Sequence, residues 1–263
     1  MNAEKYPIIR SVHGTTIRLI VTLAALLLAA GAAAQPVPLF SATYKVSYGI
    51  LHGEMTLELR RDDDGYLYET SLTPRGVVTL FRRGSIVETT SLSIEDGAVR
   101  PFDYRSTDTI ANPTRETVYL FDDPPGRVSG VYKEKTVDEP MQPDGHNRIS
   151  AHVAVMHAMN AGTSMTKIAV FDRARWRDFK FEVLPSETVK TPLGEFDTVE
   201  IRYSSDKKNK SWSLHCAAAL DYAPVMIVYR EDDDIKSKAR LIAYESLDDQ
   251  DADRRQPQPI SSR

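Results

Sequence analysis

Ile149 to Asn160 is the one convincing helical stretch in a chain whose other ordered segments read as strands and turns, and that imbalance limits the fold more than any other feature. Ile149, Val153, Met156 and Met159 recur at spacings of four, three and three, which gathers them on one stripe of a 3.6-residue helix. Asn147 or Ser150 can cap its start, and Gly162 stands where a left-handed C-terminal cap belongs. A lone amphipathic helix must cover its apolar face with sheet. The pattern therefore predicts a mainly β fold: a strongly curved antiparallel sheet of roughly ten to twelve strands, a half-barrel or open barrel, with this helix packed on its concave face.

The strand reading starts at Phe40. Phe40, Ala42, Tyr44, Val46, Tyr48 and Ile50 alternate with Ser41, Thr43, Lys45 and Ser47, a period of two that marks a strand with one buried face. His52-Gly53-Glu54 is read as the turn. Met55, Leu57 and Leu59 then alternate with Thr56, Glu58 and Arg60 in the returning strand, so the pair makes a hairpin. Asp62-Asp63-Asp64-Gly65 is a turn too, since aspartate bonds its own backbone and glycine tolerates positive φ. It is no calcium loop, because the chain runs into Tyr66, Leu67 and Tyr68 where further oxygen ligands would be needed. Strands are expected over 66–72, 85–94, 99–107, 115–121 and 128–133 before the helix, with 76–83 a short helix or crossing loop. After it they are expected over 167–171, 176–184, 195–204, 210–216, 225–230 and 235–247.

Both ends of the chain differ from this pattern. Lys5, Arg10 and Arg18 precede an apolar run that ends in Ala32-Ala33-Ala34, the layout of an export signal cleaved near Ala34/Gln35. The uncharged stretch 19–34 is shorter than the roughly 20 residues that span a bilayer, so no transmembrane anchor is expected after cleavage. Residues 1–34 are thus assigned as signal peptide, 35–247 as a single β-rich domain and 248–263, rich in Asp, Arg, Gln and Pro, as a disordered tail. The expected compartment is the periplasm. The one cysteine, Cys216, allows no internal disulfide and no lipid attachment at a new N-terminus; it reads as a small buried hydrophobe. The formal net charge of −4 becomes more acidic once the basic signal is removed, which argues against nucleic acid as a partner.

A turn and strand opening at Thr191-Pro192-Leu193-Gly194-Glu195-Phe196-Asp197-Thr198-Val199 resembles a signature of the bacterial exported family catalogued as domain of unknown function 3108. Tyr44-Lys45-Val46-Ser47-Tyr48-Gly49, Arg100-Pro101-Phe102-Asp103-Tyr104, Val170-Phe171-Asp172, and Trp212 followed by Leu220 to Val225 agree with it in order. The resemblance covers roughly Phe40 to Leu247. It implies no activity, substrate or catalytic residue, and the fold it implies looks like the half-barrel of periplasmic lipoprotein carriers, a likeness of fold alone. The motif itself has a structural explanation: Pro192 presets φ for the turn and Gly194 frees the backbone, fixing the register of the strand from Phe196.

The chemistry-bearing residues form no recognisable catalytic set. His152 and His157 are five apart, about 140° around a helix, so they cannot share a metal. His215 and Cys216 are strand neighbours that point to opposite faces. No G-x-S-x-G elbow, S-x-x-K pair, phosphate-binding loop or dinucleotide fingerprint occurs. No catalytic residue, metal or cofactor is expected. Arg173, Arg175 and Arg177 around Trp176 read as a solvated hairpin tip, with an anionic head group as the alternative. The binding candidates are Tyr44, Tyr48, Met156, Met159, Phe179 and Phe181, which can line an apolar groove between sheet and helix or simply fill the core. The expected function is non-catalytic binding or carriage of an apolar or amphiphilic envelope molecule. The alternatives are a structural or protein-interaction component, or a hydrolase without a known motif.

Overall fold

The computed structural model describes residues 37–248 apart from 64, 81–82, 123–125 and 205–208; the signal and cleavage site expected at 1–34, and all of the expected tail but Asp248, lie outside it. The first half is a meander of β1 (Phe40–Tyr48), β2 (Leu51–Asp62), β3 (Gly65–Arg75), β4 (Ile86–Glu95), β5 (Ala98–Pro101), β6 (Asp103–Asp108), β7 (Arg115–Asp122), β8 (Arg127–Tyr132) and β9 (Lys135–Pro140). After β10 (Gly145–Asn147) and the helix α1 (Ser150–Asn160), six strands follow: β11 (Lys167–Phe171), β12 (Trp176–Thr191), β13 (Gly194–Ser204), β14 (Lys210–Ala217), β15 (Ala223–Glu231) and β16 (Asp234–Ser246). All sixteen join one sheet among the described residues. Its order runs from β10 through β11 to β16, then β1 to β4, and on through β6 to β9, with β5 paired to β4 beside this path. The first and last strands therefore meet at the centre of the sheet, while β9 and β10 are its two edges, so the curve does not close.

The alternation read along β1 is realised: Phe40, Ala42 and Tyr44 are buried, and the Tyr44 hydroxyl donates to the Pro224 carbonyl at 2.6 Å. The first turn falls earlier than predicted. Gly49, at φ +56°, and Ile50 make it, and Ile50 is 90% exposed instead of continuing the buried face. His52 and Gly53 belong to β2, where a Cβ on Gly53 would come within 3.1 Å of the Thr73 carbonyl oxygen; that glycine serves a close strand approach rather than a turn. The Thr191–Gly194 turn is as its residues predict, with the Thr191 hydroxyl oxygen accepting from the N–H groups of Leu193 and Gly194, both at 3.2 Å.

There are more strands than the expected ten to twelve. The stretch 99–107, read as one strand, is two, because the pairing with β4 shifts by one residue between Leu92–Pro101 and Thr89–Arg105, although the Phe102 N–H still donates to the Ser91 carbonyl at 2.8 Å. β9 shows little apolar pattern, with only Val137 buried, and β10 is three residues long and pairs in parallel with β11. β12 runs on past Leu184 because Pro185 is absorbed in a register shift rather than ending the strand.

The helix lies where one was expected, with a wider buried face. Ala151, Val153, Ala154, Val155, Met156 and His157 are all buried, which is more than one stripe, because sheet surrounds the helix on several sides. Ile149, Val153 and Met156 join the main core. Val155 joins a second cluster with Ile201, Leu214 and Cys216, against which Met159 packs half-buried. Of the two predicted caps, Asn147 serves from just outside the helix, its carboxamide oxygen accepting from the N–H of Ile149 and of Ser150; Ser150 is the first helical residue and caps no helical N–H, its hydroxyl oxygen accepting instead from the Asn147 N–H at 3.0 Å. At the other end Gly162, at φ +65°, donates to the Met159 carbonyl and Thr163 donates to that of Ala158, the paired bonds of a left-handed C-terminal cap.

Candidate functional site

The concave face is not filled. A cavity of about 520 Å³ remains between α1 and the sheet, within the roughly 300–1,000 Å³ typical of ligand pockets. One wall is a row of aromatic rings set by strand register. Phe181 on β12 stands opposite Tyr203 on β13, Tyr203 opposite Trp212 on β14, and Trp212 opposite Tyr229 on β15. Their centroids lie 5.1–5.6 Å apart along the row, and Tyr203 and Trp212 are stacked. Phe179 extends the row, edge-on to Tyr203 and Trp212. The facing wall is aliphatic, from Val46, Met55, Leu57 and Leu72 on β1 to β3, with Ile149, Ala151 and Val155 of the helix segment above.

One region of this chamber is charged. Glu88 on β4 is buried; it accepts from the Tyr104 hydroxyl and from Thr70 at 3.5 Å, and forms an ion pair with Arg148, whose Nε lies 3.3 Å away. Arg148 precedes the helix, and 54% of its side-chain surface is open although protein surrounds it, because that surface borders the cavity. Desolvation alone would lower its pKa, but the facing carboxylates, Glu88 first and then Asp172, reverse this and hold it firmly cationic. Asp172 pairs with Arg173 at 3.7 Å and Arg177 at 3.6 Å, at the β11–β12 turn, and all three line the same cavity. His152 sits 3.4 Å from the Tyr203 hydroxyl; burial and then the Arg148 charge push its pKa down to about 4, so at neutral pH the ring is uncharged.

The binding candidates named from sequence are divided by this geometry. Phe179 and Phe181 line the cavity; Tyr44 and Met156 are packed in the core, Met159 lies on the second cluster, and Tyr48 is exposed near the β1–β2 turn. The Arg173–Arg177 segment does more than point into solvent, since Arg177 keeps only 8% of its side-chain surface exposed. Sequence reasoning missed Glu88, Arg148, Tyr203, Trp212 and Tyr229. The alternation of Trp212 with Leu214, and of Tyr203 with Ile201, was the available signal for two of them.

A second cluster lies away from the cavity. Glu187, Glu200 and His215 bring three potential ligand atoms within 4.8 Å of one another. His215 is buried with Nδ1 2.8 Å from Glu187 Oε1, outside hydrogen-bond geometry, and burial lowers its pKa so that it is a neutral donor atom. Glu200 already accepts from Arg202 Nε and Nη2 at 3.1 and 2.8 Å, so its charge is compensated without a metal. Cys216 packs beside Val155 on the other face of β14, and burial pushes its thiol up to about 12, which leaves it a packed hydrophobe.

Fold and chamber together define an unclosed, barrel-like β protein that holds one α-helix among the described residues and a mainly apolar cavity with a cationic region. The family model described as "Protein of unknown function (DUF3108)" matches residues 40–240, and the chain belongs to that family, the one its sequence landmarks resemble. A crystal structure of a β-barrel-like protein of domain of unknown function DUF1849 from Brucella abortus is similar in fold, with a TM-score of 0.54 at 12% identity over 81% of this chain and 99% of that one. No curated protein matches the chain. Among the described residues no helix is long and apolar enough to cross a membrane.

Proposed function

We propose that this protein is an exported, non-catalytic binder or carrier that takes an apolar or amphiphilic envelope molecule into the space between α1 and the concave sheet. The observation that carries this reading is the cavity of about 520 Å³, walled by an aromatic row on one side and aliphatic side chains on the other. A core with no use for that space would be expected to pack it shut, because interiors approach crystal density and voids weaken them. The polar groups there also suit binding better than catalysis. Glu88 is held by two hydroxyl donors and the Arg148 charge, and the His152 ring is neutral at pH 7 beside the Tyr203 hydroxyl.

Native mass spectrometry of protein exported in cells and purified without detergent, followed by organic extraction, tests this. A discrete co-purifying amphiphile is the expected result, and a bare protein mass with an empty extract would count against it. The alternative of a protein-interaction component draws on the β1–β2 tip, where Ile50 is 90% exposed beside exposed Tyr48 and Leu51. A bare mass together with a stoichiometric protein partner would favour that alternative.

A further inference from the structure

We propose that the cavity selects amphiphiles with a singly charged anionic head, a long-chain carboxylate above all, which Arg148, Arg173 and Arg177 bind while the chain lies along the aromatic row. This rests on the carrier reading and specifies its ligand.

The first argument is charge balance. Three guanidinium groups border this part of the cavity, against two carboxylates, Glu88 and Asp172, and one positive charge is left over. Lys210, which also lines the cavity, is matched by Glu231 at 2.9 Å, and His152 is neutral. Arg177 is nearly buried, whereas Arg148 and Arg173 keep more than half of their side-chain surface open, so the surplus attracts an anion to the cavity mouth rather than standing as a fully buried charge. A monoanion brings the cluster to neutrality, whereas a dianionic phosphate monoester overshoots and a neutral head leaves the surplus standing.

The second argument is an unmet hydrogen bond. Arg177 Nε is buried and finds no hydrogen-bond partner among the described residues; its nearest carboxylate oxygen, on Asp172, is 3.6 Å away. A buried guanidinium donor left unsatisfied is destabilising, and an oxyanion is the acceptor it suits best. Arg148 meets Glu88 through Nε, and the open part of its side chain borders the cavity.

The third argument is that the charged group and the apolar row are continuous. Arg148, His152, Asp172 and Tyr203 line the same cavity, and His152, four residues after Arg148, lies 3.4 Å from the Tyr203 hydroxyl, so the head-group region adjoins the ring that begins the stack with Trp212. Along β12, Arg177, Phe179 and Phe181 alternate onto the cavity side, which leads from guanidinium to rings on one strand face.

The test is isothermal titration of the exported, delipidated full chain with dodecanoate, dodecanol and dodecyl phosphate, all below their aggregation concentrations. Dodecanoate is expected to bind at least roughly tenfold tighter than dodecanol, the worth of a charge-assisted contact, and tighter than the phosphate. In Arg173→Gln, altered at an exposed turn, the carboxylate-over-alcohol ratio should fall toward one. Because Arg148→Gln alone strands Glu88, the double variant Glu88→Gln/Arg148→Gln is compared as well, and the ratio should fall there too. Equal binding of dodecanoate and dodecanol would overturn head-group selection while leaving the carrier reading intact. Preference for the phosphate would overturn the monoanion assignment. If no chain-bearing ligand binds, the carrier reading itself fails, and this inference with it.

Discussion

His146 and His152 are held near pKa 4, in both cases first by desolvation, with the Arg148 charge adding to it at His152. Each is neutral in the folded chain down to about that pH, while the unfolded chain takes up protons below the ordinary value near 6.5. The unfolded state then binds more protons, so stability falls as pH drops from 6.5 toward 4, by up to about 3 kcal/mol for each ring. The lowered pKa of His215 acts in the same direction. Urea unfolding at pH 7 and pH 4.8 should show a clearly lower midpoint in acid, and equal midpoints would mean the rings are not buried neutral. None of this was legible in the sequence. His146 is enclosed because β10 pairs with β11, and His152 meets Arg148 and Tyr203 only once the helix is inside the sheet. The same holds for Glu88, whose partners Arg148 and Tyr104 stand on other elements, so no local pattern marks it as anything but a strand residue.

Helix α1 was legible because its signals are local: apolar spacing, Asn147 and Ser150 at the start and Gly162 at the end. Its breadth of burial was not, since an amphipathic pattern cannot say how far a sheet curls around it. Met156 is buried in the main core, so Met156→Asp would place an unpaired charge there and should destabilise the fold by several kcal/mol, about 3 or more. Thermal unfolding checks this, and an unchanged melting temperature would contradict the docking of the helix. Among the strands, those with a clear two-residue period were readable. β9 and β10 were not, the first because it buries a single side chain, the second because three residues carry no period. The turn at Gly49 was misplaced because a second glycine, Gly53, stood in a position equally able to make one.

At the scale of the molecule, the curved mainly β architecture followed from having one helix to cover and many alternating segments, and the ordered landmarks pointed to the family now matched over residues 40–240. The cavity could not be read in the same way. Whether aromatic residues fill a core or wall a chamber depends on register, and only paired strands place Phe181, Tyr203, Trp212 and Tyr229 in one row. Trp212 therefore reports on the cavity, and the only other tryptophan, Trp176, bonds instead to the Pro140 carbonyl at 2.8 Å and does not line it. In a Trp176→Phe variant all indole emission comes from that wall. The decisive measurement is its fluorescence during titration with a fatty acid brominated along the chain, since bromine quenches indole on contact. Saturable quenching, reversed by the unbrominated acid, is the predicted result. Emission unchanged through a titration in which the acid binds, or no binding at all, would contradict a chamber that takes an acyl chain along its aromatic row.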